Sequence, residues 1–168
     1  MAEDVKERLL RYLNDAHAVE DGALSSLKDL AASATDGDLK SAVTEHIQVT
    51  QSHADRIEAR IKALGGEKAE NKSLINKIIG KGSDLLNIMH DAEDKQTQDC
   101  IKAFSLEHFE VGMYTSLKAF ADAIGDYETA RLATTIIEEE QLAAERLQRI
   151  IPQLAVMAVT KTNAATNA

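Results

Sequence analysis

The chain has 168 residues and a single cysteine, Cys100, so it is long enough for one domain with a buried core and cannot form an internal disulfide. Nineteen basic and 28 acidic residues give a net charge of −9, which argues against nucleic acid and anionic membranes as main partners. One proline and eight glycines, together with abundant Ala, Leu, Glu and Lys, favour helices over a β-rich fold.

Gly and Asp clusters divide the chain into segments with helical periodicity. Long helices are predicted at about 4–33, 38–64, 95–124 and 127–156, with shorter helical pieces at about 72–91. Ser33–Asp38 is typical of a turn followed by a helix cap, and Gly125-Asp126 is typical of a helix end followed at once by the next cap. The sequence therefore predicts an all-α protein.

The end of the chain is expected to differ from the rest. Pro152 should kink or end the last helix, because proline removes one backbone donor and crowds the previous turn. The final residues, KTNAATNA, are small and polar. We therefore expect a bundle over residues 1–156 and a flexible polar tail over residues 157–168.

The lengths of the connections predict the topology. The first and second helices are joined by a few residues, as are the third and fourth, and short connections produce antiparallel neighbours. About thirty residues separate the second helix from the third, enough to run back along a long helix. Two antiparallel pairs joined by a long crossover that contains short helices form a ferritin-like four-helix bundle.

The N-terminus gives an expectation about location. MAEDVKERLL has acidic residues where a signal peptide has basic ones, and the sequence contains no run of about 18 apolar residues. The default expectation is a cytoplasmic protein that does not partner a membrane.

The apolar stripe of each long helix is interrupted near its middle by ionisable residues. Counting outward from turns centred near residues 35 and 125 places Glu20 level with the helical turn that contains His53, and Glu110 level with Glu140. Glu107 lies beside Glu110 at i, i+3 spacing. We therefore predict a polar layer midway along the bundle, and its members are Glu20, His53, Glu107, Glu110 and Glu140.

This layer predicts a metal site. An isolated buried carboxylate is costly and normally pairs with a cation or takes up a proton. Four ionised carboxylates carry a charge of −4, which two divalent cations would neutralise. Oxygen ligands combined with imidazole suit iron or manganese, and carboxylates from facing helices build such sites in bundles.

Single residues also fit plainer interpretations. Glu20 alone fits an exposed glutamate. His46, two turns along the second helix, is more often a satisfied core histidine than a ligand, and Tyr114 is more often a packed ring than a redox residue. In the run Glu138–Glu140 only one side chain can point fully inward. The coincidence of four helices at one height nevertheless favours the shared layer.

Three segments resemble the bacterial YciF/YciE-like ferritin-like family: EHIQVTQSHADRIEARI at 45–61, EHFEVGMYTSL at 107–117 and EEEQLAAERL at 138–147. The resemblance extends over about residues 8–150. It implies a ferritin-like bundle, often a homodimer, that is linked to stress responses and carries a dinuclear metal site. The positions that match the family site are Glu20, His53, Glu107, Glu110 and Glu140.

The second helix departs from the family pattern. The family usually has Glu-Glu-Thr where this chain has Gln48-Val49-Thr50, so Val49 replaces an expected carboxylate. Ala144 likewise stands where some relatives have an acid. The site would then hold one ion, a weaker pair or none.

Two functions follow from these residues. The first is a metal-dependent protein that consumes O₂ or peroxide, with the four glutamates and His53 as ligands of one or two iron or manganese ions and Tyr114 as a nearby donor. If it is an enzyme, it is a di-iron-type oxidoreductase. The alternative, motivated by Val49, is a metal-free structural or interaction bundle with a degenerate site. Iron storage in a closed shell is compatible with the acidic charge but has less support, because nothing in one sequence indicates a cage. DNA binding also has less support, since no basic tail is present.

Overall fold

Four long helices form the described part of the chain: α1 (Glu3–Ser33), α2 (Gly37–Ala63), α3 (Lys95–Ala123) and α4 (Tyr127–Thr166). A short 3-10 turn, Ala92–Asp94, precedes α3. This computed structural model describes residues 3–69 and 92–166, with side chains over 5–69 and 92–160. All four predicted long helices are confirmed, and the shorter pieces predicted at 72–91 lie outside the described residues.

The ends of the helices follow from local backbone chemistry. The Asp36 side chain accepts a hydrogen bond of 2.9 Å from the Leu39 N–H and caps the start of α2. At the end of α2, Gly65 has a φ of 73°, a conformation that glycine adopts without steric cost. Gly125 ends α3 in the same way with a φ of 76°. Asp36 and Gly125 thus lie in the tight turns within the two helix pairs, whereas Gly65 ends α2 on the side that leads to α3.

The helices pack as the connection lengths predict. α1 packs mainly on α2, and α3 packs mainly on α4, with smaller contacts between α1 and α3 and between α2 and α4. Two apolar clusters fill the bundle. One cluster lies near the α1–α2 turn and includes Leu27, Leu39 and Leu147. The other lies toward the opposite end and includes Leu13, Ile57, Tyr114 and Ile136. The predicted polar layer lies between these two clusters.

Helix α4 continues through Pro152 to Thr166, so the end expected near residue 156 is corrected. Leu154 and Ala158 are 3% and 5% exposed and continue the buried face of the helix beyond the proline. Pro152 lies on the exposed side, as does Gln148, whose carbonyl loses its helical donor. Water can solvate such a carbonyl, which makes the interruption tolerable. The domain boundary at 156 stays a prediction.

None of the helices in residues 3–69 and 92–166 combines the length and the apolar character that crossing a membrane requires.

Candidate metal centre

Six ionisable side chains from all four helices meet midway along the bundle. The carboxylate layer, as we call this group, consists of Glu20 on α1, His46 and His53 on α2, Glu107 and Glu110 on α3 and Glu140 on α4. None of the six residues is more than 7% exposed, and the four glutamates are at most 1% exposed. The predicted convergence of acidic side chains from separate helices inside an apolar interior is confirmed.

Glu20, His53 and Glu140 form one cluster within the layer. The Nδ1 atom of His53 lies 2.7 Å from Oε1 of Glu140 and 3.5 Å from Oε2 of Glu20. One ligand atom from each residue lies within 4.8 Å of the other two, a spacing at which one ion could contact all three. Three of the four helices therefore contribute to one potential coordination sphere.

His46, Glu107 and Glu140 form a second cluster. The Nε2 atom of His46 lies 3.0 Å from Oε2 of Glu107 and 3.3 Å from Oε2 of Glu140. Glu140 is thus shared: its Oε1 atom faces His53 and its Oε2 atom faces His46. A carboxylate with one oxygen in each of two adjacent clusters has the arrangement of a bridging ligand.

Glu110 belongs to the layer but to neither cluster. It lies one helical turn from Glu107, close enough for the two carboxyl groups to influence each other's pKa values. Its Oε1 atom is buried without a hydrogen-bond partner. Of the five residues predicted as ligands, Glu110 is therefore the one that belongs to neither cluster in the described part of the chain.

Several potential ligand atoms in the layer have no hydrogen-bond partner. Six of its buried atoms have no hydrogen-bond partner: Oε2 of Glu20, Nδ1 of His53, Oε1 of Glu107, Oε1 of Glu110 and both Oε atoms of Glu140. His53 Nδ1 approaches Glu140 closely, yet not at the angle of a hydrogen bond. Buried polar atoms are normally paired, so a group of six unpaired atoms indicates a place for a further ligand.

Two polar side chains hold the first cluster in place. Nε2 of His53 hydrogen-bonds to Oε2 of Glu139 at 2.9 Å, and Arg56 donates a 2.5 Å hydrogen bond to the same oxygen. On the other side, the buried hydroxyl of Tyr114 donates to Oε1 of Glu20. A carboxylate that binds the outer nitrogen of a histidine fixes which ring nitrogen is free for a ligand.

The electrostatics of the layer separate its acids into two kinds. Burial raises the pKa of Glu20, and it raises the pKa values of Glu107 and Glu110 well above the ordinary value for a carboxyl group. Burial also acts to raise the pKa of Glu140, but the imidazoles of His46 and His53, at 3.3 and 2.7 Å from its two oxygens, outweigh it and lower that pKa. Without a bound cation, burial therefore favours the neutral form of Glu20, Glu107 and Glu110, and Glu140 is the acid that stays ionised most readily.

The histidines respond in the opposite sense. Burial acts to lower the pKa of His53, but Glu140 and Glu20 outweigh it and raise that pKa to about 9. Burial also acts to lower the pKa of His46, but Glu140, Glu110 and Glu20 together outweigh it and raise that pKa. His53 is therefore cationic near neutral pH when the layer contains no other cation, and Glu140 is its counter-ion.

Two members of the site were not predicted from the sequence. His46 was expected two turns from the layer as a core histidine, yet it lies in the second cluster. The seven-residue spacing between His46 and His53 is the signal that could have found it, because two histidines two turns apart can reach both oxygens of Glu140. Glu139 was placed with the solvated face, whereas it hydrogen-bonds to His53.

The two departures from the family pattern lie beside the layer. Val49 is half-buried and lines a surface cavity between α2 and α4 that also reaches His46. Ala144 is buried on α4 and 3% exposed. Neither side chain has a ligand atom, so the layer contains only the six residues described above as candidate ligands within the described part of the chain.

A protein family matches most of the chain. The family described as "Domain of unknown function (DUF892)" matches residues 4–160. The protein YciF of Escherichia coli K12 is 20% identical over 139 residues, which cover 82% of this chain and 84% of that protein. The crystal structure of the E. coli stress protein YciF has a TM-score of 0.77 at 18% identity, covering 92% of this chain and 98% of that chain.

Other solved structures identify the fold. A protein from Bacillus anthracis, described as ferritin-like and diiron-carboxylate, has a TM-score of 0.69 at 23% identity, covering 90% of this chain and 99% of that chain. The bacterioferritin of Desulfovibrio desulfuricans, described with its diiron site, has a TM-score of 0.72 at 25% identity, covering 95% of this chain and 86% of that chain. The predicted ferritin-like four-helix fold is confirmed.

Proposed function

This chain belongs to the DUF892 family, and we propose that its carboxylate layer holds a pair of divalent metal ions, iron with manganese as the other candidate, and reacts with O₂ or peroxide. The observation that carries the proposal is the set of six buried, unpaired ligand atoms around one point of the bundle. Buried polar atoms are normally paired within a protein, and a bound cation would give these atoms their partner.

The residues fit such ions in number and in kind. One ion would be held by Glu20, His53 and Glu140, and the other by His46, Glu107 and Glu140. Glu110 would supply a further carboxylate beside Glu107. Four carboxylates balance two divalent cations, and a mixture of carboxylate and imidazole ligands suits iron or manganese. His46, on the same helix as Val49, adds an imidazole to the second cluster.

When bound, a pair of iron ions supplies two electrons that O₂ or peroxide can accept. The chain itself contributes three things. Glu139 hydrogen-bonds to Nε2 of His53 and leaves Nδ1 to face the cluster. The hydroxyl of Tyr114 donates a hydrogen bond to Oε1 of Glu20 and fixes that oxygen in place. The apolar clusters above and below the layer exclude water, which strengthens the binding of a cation by buried carboxylates.

The relatives support a role in stress. The E. coli relative is described as a stress protein, and the Desulfovibrio relative as a bacterioferritin with a diiron site. The proposal therefore extends to a stress-response protein of the cytoplasm that acts as a homodimer. Exposed apolar side chains such as Phe109 and Val156, 47% and 67% exposed, offer surface for a second copy. Light scattering on the purified chain tests the dimer.

Metal content tests the central claim. Protein freed of metal is loaded anaerobically with Fe²⁺, desalted and analysed for iron, alongside Glu140→Ala and Glu107→Ala. We expect the wild type to bind two ions per chain, Glu140→Ala to lose binding at both clusters, and Glu107→Ala to lose mainly one. Glu138→Ala is the matched control, since Glu138 is exposed and lies two residues from Glu140 on the same helix.

Two outcomes would contradict the proposal. Equal iron content in the wild type and in both site variants would show that binding occurs elsewhere. An unchanged melting temperature of the wild type with Fe²⁺ and with Mn²⁺ would favour the metal-free structural bundle, because a ligand that binds only the folded state at about 100 times its Kd stabilises it by about 2.7 kcal/mol.

A further inference from the structure

A cavity of about 220 Å³ opens between α2 and α4 and reaches the carboxylate layer. His46 lies in its wall, and the same imidazole contacts Glu107 and Glu140. A dry cavity of about 150 Å³ is enough for a molecule the size of benzene, so this one is large enough for small diatomic or tetratomic molecules together with water. It connects the surface of the bundle with a member of the second metal cluster.

Small side chains create this space. Val49 lines the cavity three residues after His46, and Ala143 lines it three residues after Glu140. At i, i+3 spacing each of them lies on the same helix face as the layer residue that precedes it. A carboxylate at position 49 would be longer than valine and would extend into this space. The departure from the family pattern at Val49 therefore opens the layer toward the surface.

The charges that line the cavity are balanced. Glu45 at the rim is paired with Arg146, whose second amino group lies 3.1 Å from Oε1 of Glu45. Glu139 in the wall accepts a hydrogen bond from Arg56. Each carboxylate of the wall therefore has its own guanidinium, and much of the rest of the wall is aliphatic. Such a cavity has little net field to attract a metal ion and favours small uncharged molecules.

We propose that the cavity between α2 and α4 is the entrance through which a small uncharged oxygen species, O₂ or H₂O₂, reaches the carboxylate layer, with Val49 and Ala143 setting its width and His46 at its inner end. The choice of oxygen species rests on the proposed function, whereas the entrance itself rests on the cavity, its balanced charges and its contact with His46.

The entrance is tested first in metal-free protein. Dissolved O₂ is paramagnetic and speeds the relaxation of methyl groups that it contacts, so the methyl signals of Val49 and Val43 report O₂ in the cavity. We expect strong O₂-dependent relaxation of both in the wild type and a several-fold reduction in Ala143→Leu, which fills the cavity. Ala155→Leu, on the exposed face of the same helix, is the matched control and should leave the effect unchanged.

The iron-loaded protein gives the second measurement. Stopped-flow absorbance follows the oxidation of bound Fe²⁺, in which H₂O₂ takes one electron from each of two ions and two protons to give two waters. We expect Ala143→Leu to slow oxidation by H₂O₂, by O₂ or by both several-fold at unchanged iron content. If only one of the two oxidation reactions becomes slower, its oxidant is the molecule that enters through the cavity. The rate of anaerobic Fe²⁺ uptake should stay the same.

Three results would contradict the proposal that the cavity is the entrance. The first is an absence of O₂-dependent relaxation at Val49 in the wild type, and the second is an unchanged rate of both oxidation reactions in Ala143→Leu. The third is slower uptake of Fe²⁺ in Ala143→Leu, which would mean that metal ions use the cavity. Failure of the proposed function is separate, because it appears as absent iron in the wild type while the methyl relaxation still reports on the cavity. Val49→Leu provides a second filling variant if Ala143→Leu does not fold.

Discussion

Two regions of the bundle bury charged groups, and they differ in how those groups are paired. At the end of the bundle where α2 meets the α3–α4 turn, Arg60 donates to Oδ1 of Asp126 at 2.5 Å and to the hydroxyl of Thr129 at 2.9 Å. Thr129 in turn donates to Oδ2 of Asp126 at 2.8 Å. This group of three residues, the end clasp, pairs both oxygens of its acid. The carboxylate layer leaves six of its buried atoms unpaired.

The difference separates a structural ion pair from a candidate site. In the end clasp, burial acts to raise the pKa of Asp126, but Arg60 and Thr129 outweigh it and the pKa is lowered. In the layer, the same effect of burial prevails, and the pKa values of Glu107 and Glu110 are raised well above the ordinary value. Acids that outnumber their cations in a buried site require either protons or a bound ion.

Breaking the end clasp should have the largest effect on stability. Arg60→Ala leaves Asp126 buried without its cation, and we expect it to lower the free energy of unfolding by about 3 kcal/mol, as measured in urea. Iron content should stay at the wild-type value, since Arg60 does not contact the layer. Arg149→Ala is the control, because its pair with Glu145 is exposed and contributes about 0.5 kcal/mol at most.

An outcome in which Arg60→Ala loses iron but little stability would reverse the distinction between the two regions. It would mean that the clasp positions the metal site while the fold is held elsewhere.

The two regions should also respond oppositely to pH in the metal-free protein. The pKa of His53 is raised to about 9, so its stabilising contribution is fully present below about 6.5 and is lost as the pH rises through about 9. The raised pKa values of Glu107 and Glu110 act in the same direction. The lowered pKa of Asp126 acts in the opposite direction, since the stability that the ionised Asp126 contributes is lost as the pH falls below the ordinary pKa of an aspartate.

We therefore expect the metal-free protein to lose about 2 kcal/mol of stability between pH 6.5 and 9, as measured by urea unfolding at each pH. His53→Gln should flatten this decline, whereas Arg60→Ala should leave it intact. Iron-loaded protein should not show the decline, because metal binding requires deprotonated ligands and strengthens with pH. A decline of equal size in His53→Gln would place its origin outside the layer.

The fold was predictable because its main determinants are periodic. A constant rise per residue and two short turns were enough to place Glu20, His53, Glu110 and Glu140 at one height, since the positions of backbone atoms along paired helices follow from counting. Helix ends were predictable for the same local reason: Gly65 and Gly125 end helices through their own backbone conformation.

The rest of the site depends on where side chains point across helices. His46 belongs to the layer because its imidazole lies 3.3 Å from Oε2 of Glu140 on α4. Its seven-residue spacing from His53 hints at this contact, but the direction of a side chain across helices does not follow from helical rise alone. Glu139 reaches His53 from the flank of α4 for the same reason. Pro152 misled the prediction because the cost of a proline depends on whether its helix face is exposed, which the sequence alone does not specify.

Removing the acid at Glu110 should change the stability of the metal-free protein least, and it should raise that stability rather than lower it. Glu110 is 1% exposed, its Oε1 atom has no hydrogen-bond partner, and burial and the charges of Glu20 and Glu107 raise its pKa well above the ordinary value. Replacement of an unpaired buried acid by an apolar side chain of similar size removes a desolvation cost. We expect Glu110→Leu to stabilise the metal-free protein by about 1 kcal/mol.

Urea unfolding of metal-free Glu110→Leu, with Glu138→Leu on the exposed face of α4 as the control, measures this gain. The control should stay within about 0.5 kcal/mol of the wild type. A loss of stability as large as that expected for Arg60→Ala would show that Glu110 is held by a structural partner, as Asp126 is. A gain would instead mean that the acid at position 110 lowers the stability of the metal-free bundle, which is the behaviour expected of a side chain retained for binding a cation.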